Sequence, residues 1–250
     1  KVESDPAFRY FAADAPNIGG RVIRDRDLPD RDLFVFDAQT LAPEPTVSTL
    51  GTMLSGVASH ELPTMGPLGV SRVWVPHTEA RNEIDGLRDL DNHLFENRVA
   101  VLECVGGACA PVRTVDLDAS AAAAGLGQTV PNPWGIAVSG DGETVVVTAA
   151  AADGDPGDGR PAMHGMFTLD RDGNVLGSAL VGALPEGVTV RSGPSGEAQV
   201  AYVLNTADSS VSVVDLADPQ HPATVGSALV VGSNPTPAHI RLGRVAFHTA

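Results

Sequence analysis

Gly135-Ile-Ala-Val-Ser-Gly-Asp-Gly-Glu-Thr-Val-Val-Val-Thr148 reads as two short strands joined by a tight turn. Small and β-branched residues crowd both arms, and Asp141-Gly142 supplies the positive-φ chemistry that a two-residue hairpin needs. A second strand pair follows. Gly165-Met-Phe-Thr-Leu-Asp170 ends on an acid, Asp172-Gly173 marks a turn, and Val175–Val181 returns. Together these form a unit of four strands, A to D, over roughly 135–181.

The unit recurs along the chain. Strand C has counterparts in Asp32-Leu-Phe-Val-Phe-Asp37, Arg98-Val-Ala-Val-Leu-Glu103 and Ser210-Val-Ser-Val-Val-Asp215. Strand B has counterparts in Arg72-Val-Trp-Val-Pro76 and Val200-Ala-Tyr-Val-Leu204, with a degenerate copy at Arg21-Val-Ile-Arg24. Strand A recurs as Gly56-Val-Ala-Ser-His60 and Gly187-Val-Thr-Val-Arg191, with its first copy placed within Phe8–Ala13. Strand D is expected at Thr46–Gly51, Val112–Leu117 and Thr224–Val231. Four-stranded units repeated about four times predict an all-β fold of β-propeller type. The blades fall at about 8–51, 56–117, 135–181 and 187–231, and residues 232–250 form a Pro-containing linker and the start of a helix.

Composition agrees with many short strands. Of 250 residues, 43% are hydrophobic and only 4% aromatic, while 27 are Gly and 19 Pro. The net charge is −15, with 31 acidic residues against 16 basic ones. Such a surface repels a phosphate backbone, so nucleic acid is excluded as a partner and cationic partners or divalent cations are favoured. Acidity that merely maintains solubility is the plainer explanation. No stretch approaches the ~20 apolar residues of a membrane span, and Ala119–Gly127 is too short. Lys1 in place of a start Met reads as a processed or truncated N-terminus.

The two cysteines, in Cys104-Val-Gly-Gly-Ala-Cys109, flank a Gly-Gly turn that would set them opposite one another. A disulfide is the favoured reading, and it places the chain in an oxidising periplasmic or extracellular compartment. A two-Cys metal site is the alternative.

Val130-Pro-Asn-Pro-Trp-Gly-Ile-Ala-Val-Ser-Gly-Asp-Gly-Glu-Thr-Val-Val-Val-Thr148 and Ala201-Tyr-Val-Leu-Asn-Thr-Ala-Asp-Ser-Ser-Val-Ser-Val-Val-Asp215 resemble the YVTN-type, lactonase-like propeller repeat. The first two units depart from that pattern through insertions. The resemblance implies a larger, seven-bladed ring. Val231-Gly-Ser-Asn-Pro-Thr-Pro-Ala-His-Ile-Arg-Leu-Gly-Arg-Val-Ala-Phe-His248 is similar to the linker and first helix of di-haem cytochrome c peroxidase-like modules. That similarity implies haem c in a continuation, because this sequence holds no Cys-x-x-Cys-His and no cofactor of its own is implied within it.

Propeller topology puts the B–C loops on one face: 25–31, 77–97, 149–164 and 205–209. Long loops on a rigid scaffold are the usual seat of binding. They carry His77, Glu79 and His93 in the second unit, and Asp153, Asp155, Asp158 and His164 in the third. These residues read either as solvated decoration or as a docking face for a partner protein or an attached cytochrome domain. Asp25, Asp27, Asp30 and Asp32 place four carboxylates within eight residues, which suits calcium, although Arg24, Arg26 and Arg31 oppose it. The Asp153–Asp158 loop is a second acidic candidate, and His60, His77, His93 and His164 could gather on a transition metal. No Gly-x-Ser-x-Gly or His-Glu-x-x-His occurs, so no catalytic residue is assigned. The favoured function is an exported binding scaffold that docks an electron-transfer module. A lactonase-like metal-dependent hydrolase, or a surface subunit that binds partner proteins, are the alternatives.

Overall fold

The computed structural model describes residues 31–63, 69–80, 95–126, 129–152 and 163–248. Three antiparallel sheets account for most of them, and each is a meander in which consecutive strands pair. Sheet I contains β1 (Met53–Leu54), β2 (Ala58–Leu62), β3 (Val70–Ala80), β4 (Phe95–Val105) and β5 (Ala108–Asp116). Here β1 and β2 share one edge of β3, so the sheet is four strands wide. Helix α1 (Leu117–Ala123) follows. Sheet II is β6 (Pro133–Val138), β7 (Thr144–Ala152), β8 (Met163–Asp170) and β9 (Val175–Leu180). Sheet III is β10 (Pro185–Ser192), β11 (Ala198–Asn205), β12 (Ser210–Asp215) and two short pieces, β13 (Ala223–Thr224) and β14 (Leu229–Val230), both on β12. The fold is all-β, with α1 and the C-terminal α2 (Ala238–His248) as its only helices among the described residues.

A smaller hairpin precedes sheet I. Leu33 bridges Val47 and Phe36 bridges Pro43, in antiparallel sense. The expected inner strands of this first unit, within Phe8–Ala13 and Arg21–Arg24, lie outside the described residues.

Why the sheets stack follows from their side-chain period of two. On β7, Val145 and Val147 join Trp74, Val99 and Val101 of sheet I in one buried core, together with Phe167 and Leu169 of β8. The alternate residues, Val146 and Met166, join Ala201, Val203 and Val214 of sheet III in another. Sheet I does the same: its reverse face, through Val73, Val75, Ala100 and Leu102, packs on Val47 and Leu50 of the hairpin region. A strand buried on both faces loses the polar alternation of a half-exposed one, which accounts for the runs Val145-Val-Val147 and Val99-Ala-Val-Leu102. The order of layers is therefore hairpin, sheet I, sheet II, sheet III.

Polar bonds pin the layers in register. The Trp74 indole N–H donates to the Arg171 carbonyl of sheet II at 3.0 Å. Arg72 donates to Glu103 on its own sheet and to Asp172 on the next, at 2.8 and 3.0 Å. Between sheets II and III, the Gly140 amide donates to Ser192 Oγ, and the Asp141 amide donates to the Gly196 carbonyl at 2.9 Å.

Three expectations about elements change. Strand D of the second unit is β5, ending at Asp116, and Leu117 opens a helix instead of closing a strand. Asp116 caps that helix by accepting from the Ala119 amide at 2.9 Å, and Gly125, at φ 77°, ends it. Leu117 and Ala121 bury their side chains between sheets I and II. Strand A of the second unit, expected at Gly56–His60, is β2 at Ala58–Leu62 with the short β1 ahead of it, and strand D of the last unit is split into β13 and β14. The B–C hairpin of the second unit is shorter than 77–97, because β3 continues to Ala80 and β4 begins at Phe95.

Candidate binding face

The turns between first and second strands sit side by side across the layers. A Cβ at Gly142, in the β6–β7 turn, would overlap the His60 ring of β2, and the same turn bonds to Ser192 at the end of β10 and to Gly196 just after it. The strand ends that carry the β3–β4, β7–β8 and β11–β12 connections therefore share the opposite end of the stack. That end is the candidate face.

His77 does not project from it. The residue lies inside β3, pairs with Arg98 of β4 and has no exposed surface. A Cβ at Gly51 would overlap its ring, so the absence of a side chain there makes room for the imidazole. Nδ1 lies 3.2 Å from the Val75 carbonyl; a carbonyl only accepts, so Nδ1 carries the proton and Nε2 is the acceptor left without a partner. Burial holds the ring's pKa below the ordinary histidine value. The Val75 carbonyl and Asp32 work against that effect, and the Arg98 guanidinium works with it.

Glu79 is half-buried two residues further along β3 and stands opposite Glu96 of β4. Like charges in directly opposed positions repel, and Arg98, which donates to Glu96, offsets that repulsion. Asp32 accepts from the Leu50 amide at 2.7 Å, so one of its oxygens ties the hairpin closed. His164 lies in β8. Asp25, Asp27, Asp30, His93, Asp153, Asp155 and Asp158 lie outside the described residues. Among the described residues, no group of three or more His, Cys, Asp or Glu side chains is placed to hold a metal ion.

The two cysteines meet as a disulfide. Cys104 and Cys109 are direct partners across β4 and β5, and Gly106 and Gly107 turn the chain at φ 56° and 87°. Both angles are positive, which glycine adopts without a Cβ clash.

Sequence reasoning did not find two polar clusters at this end. In the first, Asn97 donates to Asp118 at 3.0 Å and accepts from the Asn132 amide, while Asp118 accepts from the Val130 amide at 2.6 Å. These bonds anchor the link between α1 and β6 to sheet I. In the second, buried Asn205 donates to Ser210 and Ser212 at 3.0 and 2.9 Å, and Asp208 accepts from the Ala183 amide. The available signal was Asn-x-x-Asp-Ser, a turn pattern that reads locally as solvent-facing.

The sequence matches no protein-family profile and no curated protein. Among solved structures, hydrazine synthase of Kuenenia stuttgartiensis is similar at a TM-score of 0.42 and 16% identity. The match covers 74% of this chain and 64% of that one, so the chain spans less than two thirds of that protein's length. Overlap at this level carries no argument about activity, and the functional reading rests on the sheets and the strand ends.

Proposed function

We propose that this chain is part of an exported β-propeller that serves as a binding scaffold, with a cytochrome-like electron-transfer module continuing beyond α2. The observation that carries the scaffold reading is one interface used twice in succession. The cross-strand pair Trp74–Val101 of sheet I and the pair Val146–Thr168 of sheet II occupy the same positions, and each is buried by the next sheet. Repetition of a single face-to-face contact is what radial blades require.

Export is supported by the Cys104–Cys109 disulfide, which persists where thiols are not kept reduced. Among the described residues, no helix is long and apolar enough to cross a membrane. We assign partner binding to the end that carries the β3–β4 and β7–β8 connections, where β3 brings Glu79 and β8 begins next to His164; the intervening sequence adds His93, Asp153, Asp155 and Asp158. With a net charge of −15, the matching partner surface is basic, and encounter is steered electrostatically. The electron-transfer part rests on the similarity of Val231–His248 to the entry segment of di-haem modules.

The deciding experiment is the intact mass of the native protein read with its visible absorption spectrum. A mass well above 25.7 kDa with a sharp haem band is the expected result. A mass of 25.7 kDa with no visible band would remove the electron-transfer module and leave an acidic scaffold.

A further inference from the structure

We propose that residues 231–237 form a rigid strap, anchored by Asn234 on the β11–β12 turn, that makes α2 a fixed part of the candidate binding face and holds a module continuing from α2 at that face. The clause about a module rests on the function proposed above. The strap and the placement of α2 rest on geometry alone.

The β11–β12 turn is built as a platform. Sheet III departs from its neighbours here. The β3–β4 and β7–β8 connections run from Ala80 to Phe95 and from Ala152 to Met163, whereas β11 passes to β12 between Asn205 and Ser210. This short turn is bonded to the link between sheets II and III. The Thr206 and Ala207 amides donate to the Leu184 and Ala183 carbonyls at 2.9 and 3.2 Å, and Asp208 accepts from the Ala183 amide at 2.6 Å. Buried Asn205 braces the turn from within by donating to Ser210 and Ser212. Leu184 and Ser209 hold positive φ angles of 53° and 51°, which residues other than glycine keep only where the surroundings enforce them.

After β14 the chain returns to this platform. The Val231 amide donates to the Ser209 carbonyl at 3.0 Å, and Asn234 Nδ2 donates to the Ala207 carbonyl at 3.3 Å. Gly232 and Ser233 are thereby pinned on both sides. Asn234 Oδ1 also accepts from the Thr236 amide at 2.9 Å, so one side chain both anchors the strap and turns it. Pro235 and Pro237 fix their own φ and restrict Asn234 and Thr236 before them. Helix α2 begins at once, with the Pro237 carbonyl accepting from the Ile240 and Arg241 amides at 3.0 and 3.1 Å. Within 231–237, only Gly232 and Ser233 contribute neither a hydrogen bond nor a ring. A free tether of this length would let α2 wander over roughly 10–15 Å. The strap removes that freedom. Because the β11–β12 turn shares its end of the stack with the two longer connections, α2 starts at the candidate face.

The test is a spin-label distance measurement by double electron–electron resonance between Leu242→Cys on α2 and Ala217→Cys beyond the far end of β12. Both positions are exposed, and the two native cysteines are paired with each other, so only the introduced thiols take the label. The wild-type background is expected to give one narrow distance. Asn234→Ala removes both side-chain bonds and is expected to widen the distribution roughly twofold. Asn234→Asp keeps the acceptor for Thr236 but loses the donor to Ala207, and it is expected to widen the distribution as well. Urea midpoints of the sheets are expected to stay unchanged in both variants, which separates positioning of α2 from stability of the body. A broad wild-type distribution would overturn the strap. A narrow one in Asn234→Asp, or equal broadening by the exposed Ser233→Ala, would overturn Asn234 as its anchor. Absence of a haem band alongside a narrow distance would remove the module and leave the strap standing.

Discussion

His77 shows how one side chain is recast by its surroundings. Sequence position suggested a loop histidine on an exposed face, whereas the ring is enclosed between β3 and Gly51, with Arg98 and Asp32 as its charged neighbours. Because burial depresses its pKa, the unfolded chain takes up a proton before the folded one. The stabilisation is fully present above the ordinary value of about 6.5 and is lost as pH falls from there through the lower folded value. Urea midpoints between about pH 7.5 and 5 are expected to fall with acidity, and His77→Gln is expected to flatten that slope. An unchanged slope in the variant would assign it to other groups. Asp37 and Asp218, whose pKa values are lowered by hydrogen bonds to Thr40 and His221 respectively, belong to a separate and more acidic window.

At the scale of elements, the β4–β5 hairpin and β3 separate local from long-range stabilisation. The disulfide closes a short loop between Cys104 and Cys109, so chain-entropy arguments give it about 2 kcal/mol at most. Cys104→Ser with Cys109→Ser should speed amide exchange in this hairpin and lower the global urea midpoint only slightly. Trp74 behaves otherwise. Its fully buried ring sits between sheets I and II, and its N–H satisfies a carbonyl of the far sheet. Trp74→Phe is expected to cost about 1–3 kcal/mol, since the Arg171 carbonyl loses its indole donor. Trp74→Ala adds a cavity and is expected to cost about 3–5 kcal/mol. Equilibrium urea unfolding measures both, and a near-neutral Trp74→Phe would show that water replaces the indole.

The whole molecule is a series of layers in which sheet II contributes to two cores at once. Phe167 belongs to the core shared with sheet I, and its chain neighbour Met166 to the core shared with sheet III. Layers linked in this way unfold together when the interfaces are strong relative to each layer alone. Calorimetry is therefore expected to show one transition, shifted downward by both Phe167→Ala and Met166→Ala, at about 2–5 kcal/mol each. Two resolved transitions, each sensitive to only one substitution, would show that the interfaces are weaker than the sheets.

The sequence by itself determined what depends on near neighbours. Alternation along Ser210-Val-Ser-Val-Val-Asp215 implies a strand, Gly106-Gly107 implies the turn that brings Cys104 to Cys109, and recurrence of one unit implies repeated four-stranded sheets. All of these are set by backbone sterics and side-chain period within a few residues. Helix α1 is not legible in the sequence because its cap at Asp116 ends an apparently continuous strand, and its small residues carry no apolar stripe until Leu117 and Ala121 meet the sheets. Only the tertiary structure decided which face of each strand meets which layer, that His77 is enclosed, and that Arg72 bonds to Asp172, 100 residues away. The reason is physical: burial and pairing across layers are properties of two surfaces brought together, and the alternation of one strand specifies only its own.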